Sequence, residues 1–105
     1  MVRVVRAGLI QAGMGDEPAD DVDRSKKYML EKHFALIEEA AGRGVQVLCL
    51  QEIFNGPYFC AEQYKRWYAM AEAVPGGPTV GLMQELAKKH GMAMVVPVYE
   101  ETIPG

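Results

Sequence analysis

The stretch 45-VQVLCLQEIFNGPYFC-60 carries both a decisive strand and the most unusual loop of this 105-residue chain. The run 45-VQVLCL-50 is β-rich, apolar and too short for a helix. Gly44 bounds it on one side and the polar pair Gln51-Glu52 on the other. Such a run is expected to be buried on both faces, as the central strands of layered α/β proteins are. Glu52 then stands two residues past Leu50, where the apolar run stops. Open α/β sheets gather ligands at the carboxyl ends of their strands. A carboxylate at that place is either a solvated loop residue or a functional one.

The flanking segments supply the fold class. Residues 2-VRVVRAGLIQ-11 alternate loosely and then run apolar, which predicts a strand. The glycine- and acid-rich 13-GMGDEPADD-21 is a loop by composition. From Asp23 to Ala41 the pattern is helical, with Leu30, Phe34, Ile37 and Ala41 on one face. Asp23 is the expected N-cap, and Gly42 or Gly44 the left-handed residue that ends the helix. Beyond the central loop, 61-AEQYKRWYAMAEA-73 predicts a short helix carrying Trp67, and 75-PGGP-78 breaks the chain. A second helix is expected from Thr79 to His90, burying Leu82, Met83, Leu86 and Ala87. Lys88, Lys89 and His90 face the negative end of its dipole, and Gly91 follows. Residues 92-MAMVVPVYE-100 predict a third strand, with Pro97 at a bulge or near the strand end. Strand, helix, strand, helices, strand is the order of an α/β domain. Three strands that run into 100-EETIPG-105 bury little area for their length, the mark of an unfinished domain.

Composition excludes several partners. The formal net charge of −3, with scattered Lys and Arg, gives no general electrostatic grip on nucleic acid. No apolar run approaches the roughly 20 residues of a membrane helix, and the N-terminus lacks the order of a signal peptide. A cytoplasmic address is expected. Cys49 and Cys60 make neither a disulfide framework nor a zinc site with convincing spacing.

Glu52 is the strongest candidate for chemistry. Phe54, Tyr58 and Phe59, with rigid Gly56-Pro57, are expected to wall it in. Apolar walls disfavour the charged form of a carboxylate, which suits a general base or acid near neutrality. Cys49 lies within the strand and reads as an inert packed thiol. Cys60 is nearer Glu52, but no histidine stands in the same segment to activate it, so it reads as a wall residue. His33, within an apolar helix face, and His90, in a last helical turn, read as structural. The methionines read as core fillers. The turn 75-PGGP-78 lacks the Lys-Ser or Lys-Thr of a phosphate loop. The residues alone therefore offer one candidate base without a nucleophile.

Several segments in order, GLIQA (8–12), LCLQEIFNGPYFCAEQ (48–63), GPT (77–79), ELAKKHGM (85–92) and VVPVYEE (95–101), resemble the nitrilase superfamily of carbon–nitrogen hydrolases. They are most similar to its N-carbamoyl amidohydrolase branch, the β-ureidopropionases and N-carbamoylputrescine amidases. The resemblance implies the N-terminal portion, residues 1–105, of a single α-β-β-α sandwich domain whose subunits pair into a homo-oligomer. It also implies a catalytic glutamate, lysine and cysteine, with no metal or organic cofactor. Glu52 matches the glutamate, Tyr58 a position lining the carbamoyl pocket, and Phe59 a support for that wall. Neither Lys88, Lys89, Cys49 nor Cys60 lies in a motif matching the lysine or the cysteine. The implied substrate is a small ureido compound such as N-carbamoyl-β-alanine, with N-carbamoylputrescine or an aliphatic amide as the alternative. Two other readings stand beside it: an inactive fragment that acts as an association partner, and a plain α/β binding module.

Overall fold

The computed structural model describes residues 2–103; Met1, and the Pro104 and Gly105 that close the 100–105 stretch, lie outside them. The elements follow in the order β1 (Ala7–Leu9), α1 (Val22–Gly42), β2 (Val47–Cys49), two 3-10 turns (Phe59–Ala61 and Lys65–Met70), α2 (Pro78–His90) and β3 (Ala93–Val95). The strands form one parallel sheet in the order β1-β2-β3. The chain is thus α/β. Two crossovers that step the same way across the sheet leave both helices on one face, as they do when both crossovers share the usual right hand. Leu48 points to that face and packs with Ile37 of α1 and with Met83 and Leu86 of α2. At the far end of the helices, Glu38 accepts from Lys89 at 3.2 Å and pairs with His90 at 3.1 Å. Those two partners, His90 first, hold the Glu38 carboxyl below the ordinary carboxylate range.

Among the described residues, nothing covers the opposite face of the sheet. Register places Ala7, Val47 and Ala93 in one row and Leu9, Cys49 and Val95 in the next. Leu9 is 84% exposed and Val95 52%. The expectation that residues 45–50 are buried on both faces is therefore corrected: Leu48 and Leu50 are buried, but Val47 is exposed. A parallel strand is buried twice only where a second layer covers it, and these residues build one helix layer. Cys49, expected to be packed inside, is half-buried on this open face.

Local differences have local causes. Asp21, not Asp23, caps α1: its Oδ1 accepts from the Arg24 N–H at 2.7 Å. Asp23 sits in the first turn, where negative charge meets the positive end of the dipole. The buried stripe of α1 is Ser25, Met29, His33 and Ile37, spaced by four, and Phe34 is rotated outward to 41% exposure. The stripe centres on His33 because its ring meets the edge of Phe54 at 5.1 Å. Within residues 61–73 no α-helix appears, and Lys65–Met70 form a 3-10 turn. That geometry eclipses residues three apart, dropping Trp67 and Met70 together into a second core with Ile53. β1 and β3 are shorter than predicted, since β2 offers three residues to pair. Pro97 lies past the end of β3, and Gly91 ends α2 with φ +58°. Gly44 takes the left-handed conformation after α1.

Candidate active site

The carboxyl ends of β1 and β2 are laced together by one side chain. Gln51 accepts from the Ala12 N–H and donates to the Ala12 carbonyl, continuing the parallel ladder with an amide in place of a peptide. This fixes the loop after β1 against the first residues after β2. Between them lies a cleft of about 380 Å³ whose walls include Gly13, Met14, Gln51, Glu52, Pro57 and Tyr58. Glu52 is exposed within it. Tyr58 is 62% exposed. The Cys60 thiol and then the Glu52 carboxylate push the Tyr58 phenol above its ordinary value, so the hydroxyl stays protonated as a donor. A larger groove of about 460 Å³ follows the open edge of β1. Its charges are already engaged: Arg43 pairs with Glu39 at 2.7 Å, and Arg6 donates to the Arg43 carbonyl.

The structure brings Glu52 and Tyr58 together and places the other aromatic residues elsewhere. Phe54, expected as a wall, is fully buried in the main core. Phe59 stacks on Trp67 at 5.8 Å and 12° and leans on Tyr99 at 5.5 Å. It belongs to the second core and stands outside the cleft. The enclosure expected around Glu52 is accordingly absent among the described residues. An apolar side chain that finds a core leaves the surface, and this loop sends Ile53, Phe54, Asn55 and Gly56 inward directly after Glu52. Ile53 takes φ +50°, a conformation that costs a β-branched residue strain and persists only where the surroundings hold it. Cys60 is an exposed free thiol on the Phe59–Ala61 turn. His33 is buried, its Nδ1 2.8 Å from the Met29 carbonyl, and burial holds the ring below its ordinary value and therefore neutral.

Beneath the loop lies a polar cluster that sequence reasoning missed. Glu72, only 7% exposed, accepts from the Thr79 N–H at 2.8 Å, the Thr79 hydroxyl at 2.6 Å and the Lys26 ammonium at 2.8 Å. Asn55 donates to it at 3.3 Å and to Thr79 Oγ1 at 3.2 Å. Burial works to raise the Glu72 carboxyl, but Lys26 and Thr79 outweigh it and hold the group below the ordinary carboxylate value. Glu72 also caps α2, whose own N-cap, Gly77, has no side chain to do so. No local periodicity links positions 26, 55, 72 and 79. The one available signal was an acidic residue shortly before a Pro-Gly turn that opens a helix.

Among the described residues, no three His, Cys, Asp or Glu side chains group to hold a metal ion. No helix among them is long and apolar enough to cross a membrane.

A parallel α/β layer with a carboxylate in a cleft at its strand ends has the architecture of ligand-binding α/β domains. The particular family follows from comparison: the carbon-nitrogen hydrolase family model matches residues 6–105, and the chain belongs to that family. It is 37% identical over 101 residues to a β-ureidopropionase of Arabidopsis thaliana, covering 96% of this chain and 24% of that protein. It is 30% identical over 99 residues to an N-carbamoylputrescine amidase of Solanum lycopersicum, covering 94% and 30%. A nitrilase of Paraburkholderia phymatum is 33% identical over 108 residues, covering 93% and 29%. The chain thus spans between about a quarter and a third of the length of these curated relatives.

Proposed function

We propose that these residues form the N-terminal portion of a single α-β-β-α carbon–nitrogen hydrolase domain and supply its glutamate, Glu52. The domain hydrolyses a non-peptide carbon–nitrogen bond in an N-carbamoyl compound such as N-carbamoyl-β-alanine. The observation that carries this reading is the Glu52 carboxylate, held in a cleft at the ends of β1 and β2 beside the Tyr58 hydroxyl. Family membership and the two ureido-hydrolase relatives support it. Glu52 takes the proton of a cysteine thiol as the sulfur attacks the carbonyl carbon, then returns it to the departing ammonia. A lysine stabilises the tetrahedral oxyanion, and water releases the thioester. Tyr58 donates a hydrogen bond within the carbamoyl pocket, and Phe59 supports its wall from the second core. The lysine and the cysteine match no motif in these 105 residues, so this stretch alone completes no turnover. The uncovered face of the sheet is where the second sheet of the sandwich stacks, and the assembled domain pairs into a homo-oligomer. The presence of amidase and nitrilase relatives keeps N-carbamoylputrescine or an aliphatic amide as the alternative substrate.

The test is ammonia release from N-carbamoyl-β-alanine, N-carbamoylputrescine and a simple aliphatic amide by the complete polypeptide carrying this segment, with Glu52 and with E52Q. Turnover of the first substrate and its loss in E52Q are expected. Unchanged turnover in E52Q sinks the role of Glu52, and turnover of another substrate alone replaces the assignment. The intact mass of the protein from its own source decides which polypeptide to assay, 11.6 kDa being that of this chain.

A further inference from the structure

We propose that buried Glu72 is a positioning residue for the Glu52 loop, acting through Asn55; the inference rests on reading Glu52 as the reacting carboxylate. The two oxygens of Glu72 divide the work. Oε1 accepts from the Thr79 N–H at 2.8 Å, which is all that capping α2 requires. Oε2 accepts from Lys26 of α1 at 2.8 Å, from the Thr79 hydroxyl at 2.6 Å and from Asn55 at 3.3 Å. One oxygen therefore joins α1, α2 and the loop that leaves β2.

Among the described residues, Glu72 and the Thr79 it holds are the hydrogen-bond anchors of the Asn55 side chain. Its Nδ2 donates to Glu72 and Thr79, while its Oδ1 has no partner. It stands three residues past Glu52, separated by the strained Ile53 and the core residue Phe54. A left-handed β-branched residue relaxes unless both of its flanks are held. Gln51 clamps the flank before it to Ala12, and Asn55 holds the flank after it. Gly77 lets the turn close over this cluster: a Cβ there would stand 3.0 Å from the Glu72 Cβ and 2.5 Å from the Ala73 carbonyl oxygen. Glu72 thus serves the direction in which the Glu52 side chain leaves the sheet, without touching substrate itself.

Amide exchange and 1H–15N spectra of this chain, with E72Q beside it, test the assignment. Expected is an acceleration of exchange at Ile53 to Gly56 at least tenfold beyond that at Leu48 and Leu86, which follow the loss of global stability, and displaced Asn55 side-chain resonances. The Glu52 carboxyl 13C resonance moves with them. Loop exchange equal to the parent overturns the proposal, as does an acceleration shared equally by the whole core. Where E72Q does not fold, Asn55→Ala decides, because it cuts the link to the loop and leaves the Thr79 cap in place. Faster exchange confined to Ile53–Gly56 supports the role, and unchanged exchange ends it. Neither readout needs turnover, so a fully active E52Q would overturn the reading of Glu52 while the exchange rates of the loop still decide the role of Glu72.

Discussion

Replacing Glu72 by Gln is expected to cost this chain several kilocalories of stability at neutral pH. The amide keeps one oxygen for the Thr79 N–H but sets an NH2 where Oε2 received three donors. The Thr79 hydroxyl can turn round and accept; the Lys26 ammonium and the Asn55 amide cannot. Breaking a buried pair costs roughly 3–5 kcal/mol. Lys26 keeps 18% exposure and can swing its head toward water, which brings the figure to about 2–4 kcal/mol. That is a large share of the roughly 5–15 kcal/mol by which a domain of this size is stable. Trp67, the one tryptophan and 2% exposed, reports unfolding by fluorescence. With a urea slope of about 1–3 kcal/mol/M, the midpoint should fall on the order of 1–2 M. E39Q is the control, because the Arg43–Glu39 pair is 75% and 55% exposed and such pairs contribute about 0.3–0.5 kcal/mol. The pH dependence has a definite sign. Glu72 is depressed in the folded chain, so its contribution is complete above its unfolded value near 4.5 and is lost as pH falls through the lower folded value. The gap between parent and E72Q should be full at pH 7, shrink below about pH 4.5 and close once the carboxyl is protonated. A gap below about 1 kcal/mol at pH 7, or one that persists undiminished in acid, would refute the reasoning.

Three further outcomes are expected. In the complete polypeptide E52Q should lower kcat by at least about a hundredfold, the usual scale of general acid–base catalysis. The stability of this chain should stay within about 0.5 kcal/mol, since Glu52 is exposed; a collapse of the fold would recast Glu52 as structural. Gly77→Ala should cost about 1–3 kcal/mol because its Cβ meets backbone at 2.5 Å. Gly56→Ala should cost less, as the atoms in its way are the flexible end of Met70; urea midpoints in the reverse order would count against both. The 105-residue chain should self-associate through its bare sheet face, and L9K combined with V95K should reduce the assembly in sedimentation. A parent that sediments as a monomer would argue against that face as the adhesive surface.

The alternation of elements and the two main helices were legible because they rest on local signals. α2 shows its apolar stripe, its basic last turn and its closing glycine within thirteen residues. The strand that leads toward Glu52 was legible for the same reason, and the cleft lies beyond its carboxyl end, where parallel sheets gather their sites. What sequence reading missed depends on contacts between distant positions. It cannot tell whether an aromatic residue lines a cleft or a core, and both Phe54 and Phe59 go to cores. The rotation of α1 was missed because the polar ring of His33 is buried all the same: its own helix satisfies Nδ1, Phe54 packs on the ring, and Nε2 is left without a partner among the described residues. Glu72 was invisible because a buried carboxylate is tolerable only with partners, and those partners lie 7, 17 and 46 positions away.

The open cleft and the bare sheet face have one physical origin. A strand buried on one side needs a second layer for its other side, and a carboxylate that moves protons near neutrality needs desolvation. The loop cannot supply that desolvation itself, since its apolar side chains are committed to the two cores. On the inference drawn for Glu72, the loop supplies direction instead: Gln51 before the strained Ile53 and Asn55 after it hold Glu52 at the cleft beyond the strand ends. On the proposed reading, a layer laid on Leu9, Val47 and Val95 would cover the open face and enclose Glu52 in the same step. The reacting cysteine would then meet a base whose orientation was set beforehand by residues it never contacts. Catalysis by a preset group avoids reorganisation when the thiol arrives, and that is how, on the proposed reading, the buried carboxylate at position 72 would serve chemistry at position 52.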